Sequence, residues 1–205
     1  MKLYSQWLFP RLVDWGMQGD YFHRQRQWVL AQPQGHVLEI GFGTGLNLPF
    51  YGAAVTHLAA IDPNPGMGRL AQARVARAAF PDAVQQAGAE ALPYPEAVFD
   101  WAVSTWTLCS VPEVLGALRE VWRVLKPGGQ FAFVEHGLSE EPAVQRWQHR
   151  LTPLQQVVGD GCRLNRDFSQ LLPAAGFRLS VLERFYAAAE PKILGYTYRG
   201  LAVKG

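Results

Sequence analysis

The chain has 205 residues, 49% hydrophobic and 18% charged, with a formal net charge of +2. That length holds one full domain and leaves little for a second, and these fractions are ordinary for a globular protein. The near-balanced charge, with no basic cluster interleaved with stacking aromatics, gives no case for a nucleic-acid partner.

Two cysteines, Cys109 and Cys162, make no disulfide framework and fit reduced thiols in a cytoplasmic protein. With the scattered histidines they lack the spacing of a structural zinc site, so no metal is expected. No apolar run approaches the roughly 20 residues of a spanning helix. The opening segment, residues 1–28, carries Tyr4, Trp7, Phe9, Trp15, Tyr21, Phe22 and Trp28. Pro10, Arg11 and Asp14 interrupt any apolar core, so it lacks a signal-peptide layout. Trp7, Arg11 and Trp15 share one helical face. The segment (1–30 with its flank) reads as a lid packed over the domain or as a helix at a membrane surface, with the lid as the working expectation.

Further along, "HVLEI" (36–40) reads as a strand entering a glycine loop, and "HLAAI" (57–61) as a second strand ending at Asp62. Residues 67–80 have helical spacing, and a short strand follows around 83–87. A proline-broken loop spans 90–100, and "WAVSTW" (101–106) reads as a strand buried on both faces. Ser110 and Glu113 have capping-box spacing, with Pro112 in the first turn, opening a helix over 113–125 that "KPGG" (126–129) terminates. "QFAFVEH" (130–136) is another strand. Residues 143–158 look helical, and 168–175 form a short helix with Asp167 and Gln170 at N-cap and N3. Residues 177–186 and 193–203 close the chain as two strands. The alternation predicts one α/β domain with a mostly parallel sheet, helices on both faces, and a ligand at the carboxyl ends of the strands.

The glycine loop narrows the ligand. A P-loop lysine is absent, and the sixth position of a dinucleotide fingerprint is Leu46. The pattern is Gly41-x-Gly43-x-Gly45, with the acid Glu39 just before it. A carboxylate there suits a cation better than a pyrophosphate. Asp62, about 20 residues on, stands where a carboxylate hydrogen-bonds ribose hydroxyls. A ligand with a ribose, a positive charge and no phosphate is S-adenosylmethionine.

Four blocks carry a resemblance: "VLEIGFGTG" (37–45), "IDPNPGM" (61–67), "GAEALPYPEAVFD" (88–100) and "LREVWRVLKPGGQFAFVEH" (118–136). Together they resemble the class I S-adenosylmethionine-dependent methyltransferases, which implies a Rossmann-like methyltransferase domain with a C-terminal antiparallel strand pair. The resemblance places Gly41, Phe42, Gly43, Thr44, Gly45 and Asn47 along the methionine moiety, with Glu39 orienting the loop or the amino group. Asp62 would bind both ribose hydroxyls. Pro63 and Met67 would flank the adenine, and backbone at Ala89 and Glu90 would meet its edge. Thr105 and Trp106 would lie by the sulfonium. One departure is Gly88, where many relatives carry an acid for the adenine amino group. That contact then falls to backbone, water or Glu90.

The back half, "TLCSVPEV" (107–114), "VEHG" (134–137) and "GDGCRLNRDFSQLLPAAGF" (159–177), resembles the alkyl-thiol methyltransferase branch and its bacterial relatives. It implies a small-molecule acceptor, with a thiol the best guess. The alternatives are a phospholipid or quinone-precursor methyltransferase, and a protein that binds S-adenosylmethionine without turnover. His136, at a strand's carboxyl end, is the candidate general base. His149 reads as a surface or packing residue, and His23, His36 and His57 are given no role. Cys109 reads as a small buried hydrophobe. Arg163 or Arg166 is expected to gate the pocket or bind an acidic substrate, or to lie on the surface. Trp106, Trp147 and Phe168 are expected to line an apolar acceptor pocket.

Overall fold

The computed structural model describes residues 3–78, 83–188 and 190–205. Its strands are β1 (Gly35–Ile40), β2 (Val55–Ile61), β3 (Ala83–Gln85), β4 (Phe99–Thr105), β5 (Leu125–His136), β6 (Phe177–Tyr186) and β7 (Tyr196–Lys204). They form one seven-stranded sheet in the order β3-β2-β1-β4-β5-β7-β6. The pairs from β3 through β5 are parallel, and β7 runs antiparallel to both β5 and β6. Chain order reverses between β1 and β4, so a crevice opens there at the carboxyl ends of the strands. The result is a single α/β domain with the expected mostly parallel sheet and C-terminal antiparallel pair.

Strand alternation explains the two-sided core. Leu38, Ile40, Ala102, Phe131 and Phe133 point to one face, where they join Leu118 and Val121 of helix α4 (Val114–Val124) and Phe168 of α6 (Phe168–Ala174). Val37, Trp101, Val103 and Val134 point to the other face, toward Val29 and Leu30 of α2 (Asp20–Leu30). Covering both faces lets β1 be buried continuously from Val37 to Ile40.

Helix α3 (Pro65–Val75) starts two residues before the predicted 67. The Asn64 side chain caps it by accepting from the Gly66 N–H at 2.8 Å. Its predicted end at 79–80 lies outside the described residues. The Ser110–Glu113 capping box does not form: α4 begins at Val114, and Glu113 makes no side-chain cap. Helix α4 ends at Val124, before "KPGG", because Leu125 is already extended and bridges Phe99. The Lys204 ammonium donates to the Arg123 and Leu125 carbonyls, capping those orphan acceptors. Asp167 is the N-cap of α6, accepting from the Ser169 N–H at 2.9 Å. Residues 192–195 make a short helix, α7 (Lys192–Gly195), so the last strand starts at Tyr196.

At the front, a π-helical turn (Tyr4–Leu8) runs into α1 (Phe9–Gly16), and α2 follows. No helix among the described residues is long and apolar enough to cross a membrane. The remaining long helix, α5 (Pro142–Val158), precedes the loop that carries Cys162.

Candidate active site

A cavity of about 580 Å³ lies at the carboxyl ends of β1, β2, β4 and β5. At one end is the glycine loop. Gly41 has φ +76°, and a Cβ there would overlap the Thr107 side chain, so the residue must be glycine for both reasons. Asp62 clamps the loop from the next strand. One carboxylate oxygen accepts from the Gly43 N–H and the other from the Asn64 N–H, each at 2.8 Å. Burial raises the Asp62 pKa, and these two hydrogen bonds oppose the rise.

Phe42, Thr44, Asn47, Pro63, Met67, Ala89 and Glu90 line the same wall. A Cβ at Gly88 would lie 3.0 Å from Glu90 Oε2, so the Glu90 carboxylate stands close to where a side chain at 88 would begin. Glu39 and Gly45 are not on the wall. Glu39 is fully buried behind the loop and accepts from Asn47 Nδ2 and the Tyr51 hydroxyl, both at 2.8 Å. Burial pushes its carboxyl up to about 7 against those two bonds and the Arg26 charge. Arg26 is itself buried and donates to Asn47 Oδ1 at 3.0 Å and to the Met17 carbonyl at 2.7 Å. This chain of contacts links the glycine loop to the N-terminal helices. Phe9, Val13 and Met17, at four-residue spacing, complete the cavity's roof.

At the other end stand Thr105, Trp106, Cys109, His136 and Cys162. Trp106 has φ +51°, an uncommon conformation for a bulky residue, just past β4. Its indole N–H is buried with no hydrogen-bond partner among the described residues. The loop that follows is pinned on both sides. The buried Glu135 carboxylate accepts from the Thr107, Leu108 and Cys109 N–H groups at 3.0–3.1 Å and from the Ser104 hydroxyl at 2.6 Å. The buried Arg166 guanidinium donates to the Leu108 and Val111 carbonyls.

Arg166 is therefore spent on holding this loop, is buried, and does not line the cavity, in place of the gate or surface role expected for it. Arg163 is tied through its backbone N–H to the Cys109 carbonyl at 2.9 Å. Phe168 packs in the core against Phe133 and Tyr198, and Trp147 is half exposed beneath Arg150. Neither lines the cavity, so of the three aromatic residues expected there only Trp106 does. His149 is exposed and meets Asn165. His36 and His57 pair at the opposite ends of their strands, and His23 packs on Phe50.

Cys109 and Cys162, from two separate loops, meet His136 at the end of β5. The two sulfurs are 3.6 Å apart, and Cys162 Sγ is 4.0 Å from His136 Nδ1. Burial alone would lower the His136 pKa, but the hydrogen bond and charge interaction with Cys109 outweigh it and raise the pKa. Sequence spacing gave no sign of this trio, because 26 and 25 residues of intervening chain separate the three. The roof residues and the role of Glu135 were also missed. An acid directly after the apolar run Phe131–Val134, in "FVEH", was the available signal for Glu135.

The sequence profile of a family described as a methyltransferase domain matches residues 38–133. Human thiol S-methyltransferase TMT1A is 36% identical over 182 residues, covering 85% of this chain and 73% of that protein. The chain belongs to the class I S-adenosylmethionine-dependent methyltransferases. This methyltransferase is also similar to rat thiol S-methyltransferase TMT1B, at 36% identity over 72% of the chain, and spans 62% of that relative's length. Among solved structures, the [4+2]-cyclase SpnF superposes with a TM-score of 0.74 at 20% identity, covering 99% and 94% of the two chains, a likeness of fold alone. The protein is thus an enzyme that uses S-adenosylmethionine as methyl donor, which sets aside binding without turnover. The cavity fits that donor in kind: a carboxylate at the end of β2 beside a close-packed glycine loop.

Proposed function

We propose that this methyltransferase methylates a small apolar thiol. The observation that carries the reading is the 36% identity to a thiol S-methyltransferase across 85% of the chain. The acceptor end supports it. Its wall offers one imidazole, His136, among the described residues, and a thiol needs little more. With a pKa of about 8.5, a few per cent of a thiol is already thiolate at pH 7.

In this reading Asp62 takes both ribose hydroxyls, and Gly41, Gly43 and Asn47 pass along the methionine moiety. Pro63 and Met67 flank the adenine, Ala89 and Glu90 meet its edge, and the Glu90 carboxylate replaces the acid absent at 88. Glu39 acts from behind, holding Asn47 and Tyr51 rather than touching the ligand. Thr105 and Trp106 face the sulfonium. S-adenosylmethionine supplies an electrophilic methyl group when bound. The protein's part is to hold the acceptor in line with it, an arrangement worth up to about 7–11 kcal/mol of barrier. His136 is the group on the wall placed to receive the thiol proton. The N-terminal helices act as the lid that keeps water out.

A panel of alkyl thiols incubated with the enzyme and S-adenosylmethionine should give thioethers and S-adenosylhomocysteine. Turnover of a phospholipid amine or a quinol precursor, with no thiol methylated, would reject the thiol and leave the enzyme class standing. One observation favours that second reading. The outer face of the N-terminal helices exposes Leu8, Leu12 and Trp15, the last at 82%, a surface suited to amphiphilic acceptors held in a membrane.

A further inference from the structure

The trio at the acceptor end has the composition and spacing of a metal site. Cys109 follows β4, His136 is the last residue of β5, and Cys162 lies in the loop after α5. Their ligand atoms all lie within 4.8 Å of one another. A tetrahedral zinc ion, with Zn–S of about 2.3 Å and Zn–N of about 2.0 Å, sets sulfur pairs about 3.8 Å apart and sulfur–nitrogen pairs about 3.6 Å apart. The observed 3.6 Å between sulfurs and 4.0 Å from Cys162 Sγ to His136 Nδ1 meet those values within a few tenths of an ångström.

We propose that Cys109, His136 and Cys162 bind one zinc ion, whose fourth position opens to the cavity and takes the sulfur of the acceptor. The last clause rests on the thiol reading; the metal site does not.

Three features support the site. First, two thiolates and a neutral imidazole balance a divalent cation, so the filled cluster carries no net charge into a place where both cysteines are at most 6% exposed. Second, the ligand loops are held by groups other than the ligands. Glu135 and Arg166 fix the backbone on both sides of Cys109, as described above. Cys162 is presented by a turn with Asp160 at φ +46° and Gly161 at φ +101°. A Cβ at Gly161 would come within 2.9 Å of the Ser110 carbonyl, so the two cysteine loops touch at a glycine. Outer supports of this kind orient ligands before a metal arrives. Third, all three residues line the cavity, so a three-ligand site would face the ligand rather than bulk water. Two cysteines, one histidine and an open position is a zinc arrangement found where the metal does chemistry.

The chemistry balances. On coordination the acceptor's S–H proton leaves to water, and the thiolate stays on the metal. One of its sulfur lone pairs forms the new carbon–sulfur bond. The bond between the methyl carbon and the sulfonium sulfur breaks, and its electron pair remains on that sulfur. Thioether and S-adenosylhomocysteine then leave, and the metal keeps its charge and oxidation state. The metal takes over from the imidazole the task of holding the acceptor deprotonated.

The test uses the full chain, reduced and freed of metal. Zinc is titrated against a chromophoric chelator, and cobalt(II) is added in parallel for spectroscopy. The expected result is one equivalent bound, with the visible bands of a tetrahedral site and thiolate-to-cobalt charge transfer. Cys109→Ser and Cys162→Ser should each weaken binding by about 100-fold or more. Binding of S-adenosylhomocysteine by the same variants reports that they are folded, and a zinc-dependent rise in the melting temperature of the unaltered protein gives a readout free of any variant. No stoichiometric binding by reduced protein with both thiols free would overturn the site. Equal binding by the variants would mark an adventitious ion and also overturn it. Cobalt bands that shift when an alkyl thiol is added support the open position. Bound cobalt whose spectrum ignores thiols, or thiol turnover unaffected by metal removal, overturns the acceptor clause while leaving thiol methylation intact. Metal binding with no thiol turned over rejects the thiol reading and spares the site.

Discussion

Glu39 carries an electrostatic cost that can be measured. It is buried, accepts two hydrogen bonds, and still has its pKa pushed up to about 7, with burial the largest cause. A carboxyl whose folded pKa lies above its ordinary 4.5 favours folding in the protonated form. That contribution is complete below about pH 4.5 and is lost as the pH rises through about 7. Relative to Glu39→Gln, the unaltered protein should lose on the order of 3 kcal/mol of unfolding free energy between pH 4.5 and 8. Denaturant unfolding at both pH values measures it, and a constant difference would mean that the Glu39 carboxyl is not raised by burial. Trp106 is the opposite case, a buried donor with no partner among the described residues. Trp106→Phe should leave the ligand-free protein as stable or about 1 kcal/mol more stable, because it deletes an unsatisfied group. It should also weaken binding of S-adenosylhomocysteine or of the acceptor several-fold. Unchanged affinity for both would show that the indole N–H serves no ligand.

Among the elements, those with strong periodicity were legible and those set by tertiary contacts were not. The helix near 143–158 could be read from pattern alone, because it buries Val144, Gln148 and Thr152 at four-residue spacing, and the strand over 177–186 from its run of apolar and β-branched residues. The Ser110–Glu113 capping box does not form: the Ser110 N–H donates to the Thr107 carbonyl at 2.8 Å, in a loop held by Glu135 and Arg166. Both act across more than 20 residues of sequence, beyond any local signal. The same distance hid the meeting of Cys109, His136 and Cys162. The aromatic N-terminal segment was visible, but which face turned inward was decided by Asn64, Arg69 and Arg74 reaching to it and by its own Arg26 reaching to Asn47. Asn64 Nδ2 donates to the Ser5 carbonyl at 2.9 Å, Arg69 to the Gln6 carbonyl at 2.7 Å, and Arg74 pairs with Asp14 at 2.7 Å. The last pair is partly exposed and worth at most about 1 kcal/mol. Asp14→Ala should therefore change global stability little while loosening α1 over the cavity. Stopped-flow release of S-adenosylhomocysteine is expected to quicken about two- to fivefold, and an unchanged rate would mean that α1 does not gate the site.

At the scale of the molecule, one surface stands apart from the balanced charge of the rest. Leu8, Leu12 and Trp15 lie on the outer face of the roof, and Leu154, Val157 and Val158 are exposed at the end of α5, where the Tyr4 hydroxyl meets the Val158 carbonyl. If this face meets lipid, the protein will float with liposomes at low salt and Trp15→Glu will reduce flotation. Absence of flotation would count against the phospholipid and quinone reading. The sheet order places the glycine loop, Asp62, Trp106 and His136 along one edge, so donor and acceptor share a single cavity. Asp62 is the residue on which that sharing turns. Calorimetric titration of the protein and of Asp62→Ala with S-adenosylhomocysteine tests it most directly. One-to-one binding by the protein, weakened about 30-fold or more in a folded variant as two charge-assisted hydrogen bonds are lost, is the predicted result. Equal affinity in both would contradict it and place the nucleoside elsewhere.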